Sequence, residues 1–176
     1  SVDTSKALPL IREAKFIDKT NPEIYLIAGD IYIAVNDGSK AIENYRIAEY
    51  YDPTSPAANM KIGNIYIKGR SLTSAIQYLE AAIALDPNFA PAYRELGVVY
   101  FKQRKTEEAK GAHKKYLELS KNNTFARLRY AFFLFDSEDF KSAQAELNLV
   151  NKVDSTNLYM MRIRAYVAYE YGAYDT

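Results

Sequence analysis

Apolar and small residues recur along this chain in blocks that repeat every 34 residues. Gly29, Gly63 and Gly97 keep that step, as do Tyr32, Tyr66 and Tyr100, and Ala41, Ala75, Ala109 and Ala143. Asp52-Pro53 returns as Asp86-Pro87, and the alanine column runs back to Ala7. Each block carries two stretches with helical spacing, so helices are predicted near 5–18, 22–35, 39–51, 56–69, 73–85, 90–103, 107–119, 124–136, 140–153 and 158–171. Asn36-Asp37-Gly38 and Glu138-Asp139 supply turn chemistry between paired helices. Asp-Pro stops the second helix, because proline lacks the N–H and disfavours helix in the residue before it.

One such block cannot bury its apolar face alone, so neighbours must stack. Small residues let helix backbones approach closely, and large ones fill the space around those contacts. Numbered from Pro22, the first full block has Tyr25 at position 4, Ala28 and Gly29 at 7 and 8, and Tyr32 at 11. Ala41 follows at 20, Tyr45 at 24, Ala48 at 27 and Pro53 at 32. The second block gives Asn59, Ile62, Gly63, Tyr66, Ala75, Leu79, Ala82 and Pro87. The third keeps Tyr93, Leu96, Gly97, Tyr100 and Ala109, then departs with His113, Tyr116 and Lys121. The fourth departs further, with Arg127, Tyr130, Ala131, Leu134, Ala143, Leu147, Val150 and Ser155. Tyr116 and Val150 are large where position 27 is small, so the junction after the third block is expected to pack differently.

These residue types at this spacing resemble the tetratricopeptide repeat, over essentially the whole chain. The resemblance implies an all-α, right-handed α-α superhelix of about ten helices, in four full repeats with a half repeat at each end. The single domain 1–176 then divides into a second helix at 5–21, repeats at 22–55, 56–89, 90–123 and 124–157, and a first helix at 158–176. In the half repeat that opens the chain, Ala7, Ile11 and Ala14 take positions 20, 24 and 27. Pro9 is expected in the first turn of that helix, where proline costs little. Gly172-Ala173-Tyr174-Asp175 matches the inter-helix turn. The segment is expected to be cut from a longer array, leaving a sticky face at Met161, Ala165 and Ala168 and self-association through its ends.

Composition narrows the chemistry. With 23 basic and 22 acidic residues, net charge gives no global pull toward nucleic acid or membrane. The chain has no cysteine, which excludes disulfides and cysteine metal sites and fits a cytosol or a periplasm equally. No apolar run reaches the length of a membrane span. The one histidine, His113, falls in a packing column and is expected to be buried, with no partners for a triad or a metal site. Glycines sit inside helices rather than in a phosphate loop. Lys102, Arg104, Lys105, Lys110, Lys114 and Lys115 cluster around the third repeat, balanced by Glu107, Glu108 and Glu118. No catalytic residue, cofactor or metal is indicated.

The family resemblance places positions 2, 5, 9 and 12 of each first helix in a concave groove. They are Glu23, Leu26, Asp30 and Ile33 in the first repeat, and Ala57, Met60, Asn64 and Ile67 in the second. The third gives Pro91, Arg94, Val98 and Phe101, the fourth Phe125, Leu128, Phe132 and Phe135, and the last helix Tyr159, Arg162, Tyr166 and Tyr169. Position 9, usually Asn in this family, becomes Phe132 and Tyr166, so the groove turns from mixed polar to aromatic. Phe101, Phe125, Leu128, Phe132, Phe135, Tyr159, Arg162, Tyr166 and Tyr169 are therefore the candidate partner-binding residues.

Binding of C-terminal carboxylates, known in part of the family, finds matches only at Asn64 and Arg129 and misses at Met60, Glu95 and Phe125. In the other register Leu26, Asp30, Lys61, Pro91 and Glu95 all miss. The expected function is a protein-interaction scaffold holding a peptide or helix. The alternatives are a structural arm of a larger secretion, envelope or multidomain assembly, and the non-catalytic domain of an enzyme.

Overall fold

A computed structural model describes residues 4–121 and 123–150, together with 161, 165, 166 and 169. Among the described residues there are nine α-helices and no strand: α1 (Thr4–Ile17), α2 (Pro22–Ala34), α3 (Gly38–Tyr51), α4 (Ala57–Lys68), α5 (Leu72–Leu85), α6 (Ala90–Lys102), α7 (Thr106–Leu119), α8 (Thr124–Asp136) and α9 (Phe140–Val150). Their bounds match the predicted ones within one or two residues, except that α9 is described only to Val150. The expected turn at 172–175 lies outside the described residues, as does most of the helix expected over 158–171. Met161 and Ala165 of the expected sticky face are exposed, and Ala168 is outside the described residues.

Contacts divide the chain into two compact units, residues 1–99 and 100–176. In the first, consecutive helices from α1 to α5 pack in chain order; in the second, α7 packs on α8 and α8 on α9. The alanines of position 20 (Ala41, Ala75, Ala109, Ala143) are all fully buried. Position 24 is filled by Tyr45, Leu79, His113 and Leu147, each at most 4% exposed. Leu26, expected to line the groove, is instead buried beside Tyr25 and Tyr45.

Turns repeat as faithfully as helices. Asn36, Arg70, Arg104 and Glu138 stand 34 apart, and all take φ of 60–63°. The next residue's N–H donates back to Tyr32, Tyr66, Tyr100 and Leu134 in turn, at 2.8–3.0 Å. That bond and the left-handed residue before it form a Schellman cap, which satisfies carbonyls left over at the helix end. Between repeats, Asp18, Asp52 and Asp86 each accept the N–H two residues on, at 3.0, 3.1 and 2.8 Å. The tyrosines at position 4 pin the same loops: Tyr25 donates to the Lys19 carbonyl at 2.9 Å and Tyr93 to that of Pro87 at 3.1 Å.

The third repeat ends differently. Lys121 is left-handed (φ 53°), Asn123 donates to the Ser120 carbonyl at 3.2 Å, and Asn123 then caps α8 by accepting from Ala126 at 2.8 Å. Tyr116 and Val150 are buried despite their size. Pro9 corrects an expectation: it lies inside α1, deeper than the first turn, so the helix forgoes the bond that residue 9 would donate to Ser5.

Candidate interaction surfaces

The first unit carries a small polar pocket between α2 and α4. Asp30, at position 9, accepts a hydrogen bond from the Tyr45 hydroxyl at 2.7 Å. Its two oxygens also take the Lys61 ammonium at 2.7 and 2.8 Å. Burial pushes the Tyr45 phenol well above its ordinary value, and the bond to Asp30 adds to that. The carboxylate is thereby ion-paired and held in place. Ile33, Met60, Asn64, Ile65 and Lys68 complete a cavity of about 180 Å³. The Oδ1 of Asn64, position 9 of the next repeat, is buried with no hydrogen-bond partner. Position 24 of that repeat is Leu79, whose side chain offers no hydroxyl.

In the second unit the candidate residues of α8 share one stripe. Phe125, Leu128, Phe132 and Phe135 are three or four residues apart, hence stacked along one side of the helix. Tyr130, Ala131, Phe133 and Leu134 of the same helix are buried. Phe125 is 60% exposed, with the Arg129 guanidinium 5.7 Å from its ring centroid. Leu128, Phe132 and Phe135 are half-buried around Ala131 and Leu147, and Phe140 joins them. Phe135 meets Phe140 edge-on at 5.4 Å and Tyr166 at 5.1 Å. Tyr166 and Tyr169 are exposed at 49% and 68%. Tyr159 and Arg162 lie outside the described residues.

Phe101, on α6, is half-buried as Leu128, Phe132 and Phe135 are. Its ring stands edge-on to buried Phe133 at 5.5 Å. Two residues that sequence reasoning missed belong beside the stripe: Arg129 over Phe125, and Phe140 against Phe135. The spacing along α8 alone could have pointed to Arg129, four residues after Phe125, because neighbours at that spacing meet on a helix. Phe140 needed the fold.

His113 is 4% exposed, with its ring 4.6 Å from Phe133 and its Nδ1 unpartnered. Burial and the nearby Arg129 charge depress its pKa to about 4, so it is neutral near pH 7. Among the described residues no cluster of side chains could hold a metal ion, and no helix is long and apolar enough to cross a membrane. Within the basic cluster, Lys110 pairs with Asp139 at 2.8 Å rather than with the glutamates of its own helix.

A family model for the TPR repeat matches residues 63–103. No curated protein matches the chain. Among solved structures, that of pilF from Pseudomonas aeruginosa aligns with a TM-score of 0.79 at 21% identity, over 97% of this chain and 78% of that one. TTC0263, a thermophilic TPR protein of Thermus thermophilus, aligns at 0.74 with 19% identity, over 94% and 91%. YrrB, a TPR protein with an unusual peptide-binding site, aligns at 0.70 with 19% identity, over 94% and 85%. At such identities the likeness is one of fold.

Proposed function

We propose that this chain, which belongs to the tetratricopeptide-repeat family, is a scaffold that holds an apolar peptide or helix on the aromatic stripe of α8. The observation that carries the reading is the exposure of Phe125 at 60% beside half-buried Leu128, Phe132 and Phe135, with Tyr166 in ring contact at the far end. Aromatic rings supply large contact area with few rotors to freeze, and an exposed apolar patch of this kind marks interaction surfaces. Arg129, already over one ring, can meet a carboxylate or stack on a partner's aromatic side chain. The polar pocket of the first unit is a poorer candidate, because its one carboxylate is already satisfied by Tyr45 and Lys61. The likeness to YrrB, itself a TPR protein with a peptide-binding site, supports peptide binding as the mode.

Selection of peptides from a displayed random library on the intact chain tests the reading. Apolar, aromatic-rich peptides that lose affinity to Phe125→Ala are expected. Peptides insensitive to Phe125→Ala and to Phe132→Asn would overturn it.

A further inference from the structure

The outward face of α7 carries a charge pattern with a centre. Gly111 is exposed in mid-helix, and a Cβ built on it meets nothing within 4 Å. Glycine inside a helix is destabilising by roughly 0.5–1 kcal/mol relative to alanine. The chain's own packing therefore gives no reason for glycine here. Around it the charges are antisymmetric: Glu107 and Glu108 lie four and three residues before, Lys114 and Lys115 three and four after. All four are exposed. Glu107, Glu108 and Lys114 make no ion pair among the described residues, and Lys115 reaches Glu118 only at 3.8 Å. The charges flanking this face are already engaged, Lys110 with Asp139 and Arg127 with Glu146. Beside the face runs a groove of about 540 Å³, walled by Lys110, Leu117 and Tyr130.

We propose that this face is a docking surface for a second copy of the same chain, with the two α7 helices antiparallel and crossing at Gly111. A two-fold axis through Gly111 sets Glu107 opposite the partner's Lys115 and Glu108 opposite the partner's Lys114, and each pair occurs twice. The arrangement is isologous, with the same patch serving both sides. A parallel pairing in the same register would instead set Glu on Glu and Lys on Lys, which is repulsive. Glycine at the crossing lets the helix axes approach toward the near end of the usual 8–10 Å range, which brings the flanking charges within reach. A single helix crossing buries less than a standard interface, so association is weak and salt-sensitive.

Charge exchange tests this without identifying any other partner. Sedimentation of the intact chain at low salt, up to about millimolar, should show a monomer–dimer equilibrium that weakens as salt is added. The variants E107K/E108K and K114E/K115E should each be monomeric, since each sets like charges together. Mixed, they should form a heterodimer at least about tenfold tighter than either alone, because all four pairs are again opposite. Circular dichroism checks that the helices persist. Where a double variant unfolds, E108K with K114E poses the same question with one exchange per side. A wild type that stays monomeric throughout would overturn the proposal. So would a mixture no tighter than its components, or reversed variants that dimerise like the wild type.

Discussion

The first and fourth repeats solve one packing problem in two ways. In the first, position 24 is Tyr45, and a Cβ on Gly29 across from it would lie 2.2–2.7 Å from the tyrosine ring. In the fourth, position 24 is Leu147, and Ala131 stands fully buried where glycine stood. Repeat two is intermediate: Gly63 faces Leu79, with the nearest atom at 3.2 Å. Tyrosine at position 24 leaves room only for glycine at position 8, whereas leucine is found opposite both Gly63 and Ala131. The same choice reaches the groove, since the Tyr45 hydroxyl ties down Asp30 at position 9. Leucine has no hydroxyl to offer. Asn64 accordingly keeps an unpartnered Oδ1 in the repeat that has Leu79, and the fourth repeat carries Phe132 there instead. Tyrosine at position 24 thus supplies a partner for a polar position 9, and leucine there is found with both Asn64 and Phe132.

The most damaging way to test that match is Gly29→Ala. Overpacking against a rigid ring should cost about 3 kcal/mol in urea denaturation, whereas Gly63→Ala should cost under about 1 kcal/mol, since Leu79 can shift and alanine favours helix. Adding Tyr45→Leu to Gly29→Ala should restore much of the loss. Equal costs at Gly29 and Gly63 would break the comparison.

His113 is the third repeat's version of position 24, and its effect should appear in acid. Its folded pKa of about 4 lies below the ordinary 6.5, so the unfolded chain binds the proton more readily. Stability is complete above pH 6.5 and falls as pH drops toward 4, by at most roughly 3 kcal/mol from this group. His113→Leu should flatten that stretch of the stability–pH curve. An unchanged slope would show that the ring titrates freely.

The turns predict the smallest effect. Arg70 holds φ of 60° without being glycine. Arg70→Gly should stabilise by no more than about 1 kcal/mol, the left-handed strain relieved being partly offset by the freer unfolded chain. Thermal melting would read it. A clear loss instead would mean that Arg70 makes contacts worth more than the strain.

The sequence period made most of the fold legible, because spacing alone sets which side chains share a helix face. It showed the alanine column, the position-24 column and the helix bounds, since these depend on volume and periodicity. It did not show that Arg70, Arg104 and Glu138 are left-handed like Asn36. Turn chemistry marks asparagine for that role and gives no warning for arginine or glutamate. The tie of Asp30 to Tyr45 and Lys61 was also hidden, because it joins residues 15 and 31 apart across two repeats. Groove position did not guarantee exposure: Leu26 went to the core. Pairing of Lys110 with Asp139 likewise needed α7 and the turn before α9 placed in space.

The central claim, that the partner sits on the aromatic stripe and not on the tied polar pocket, is tested most directly by one binding experiment. A library-selected peptide is titrated against the wild type, a Phe132→Asn/Tyr166→Asn variant and a Lys61→Met variant, with circular dichroism confirming that each stays helical. The aromatic variant should bind about tenfold more weakly or worse, a loss of about 1.4 kcal/mol, and Lys61→Met should bind within about twofold of the wild type. Unchanged affinity in the aromatic variant together with loss in Lys61→Met would contradict it.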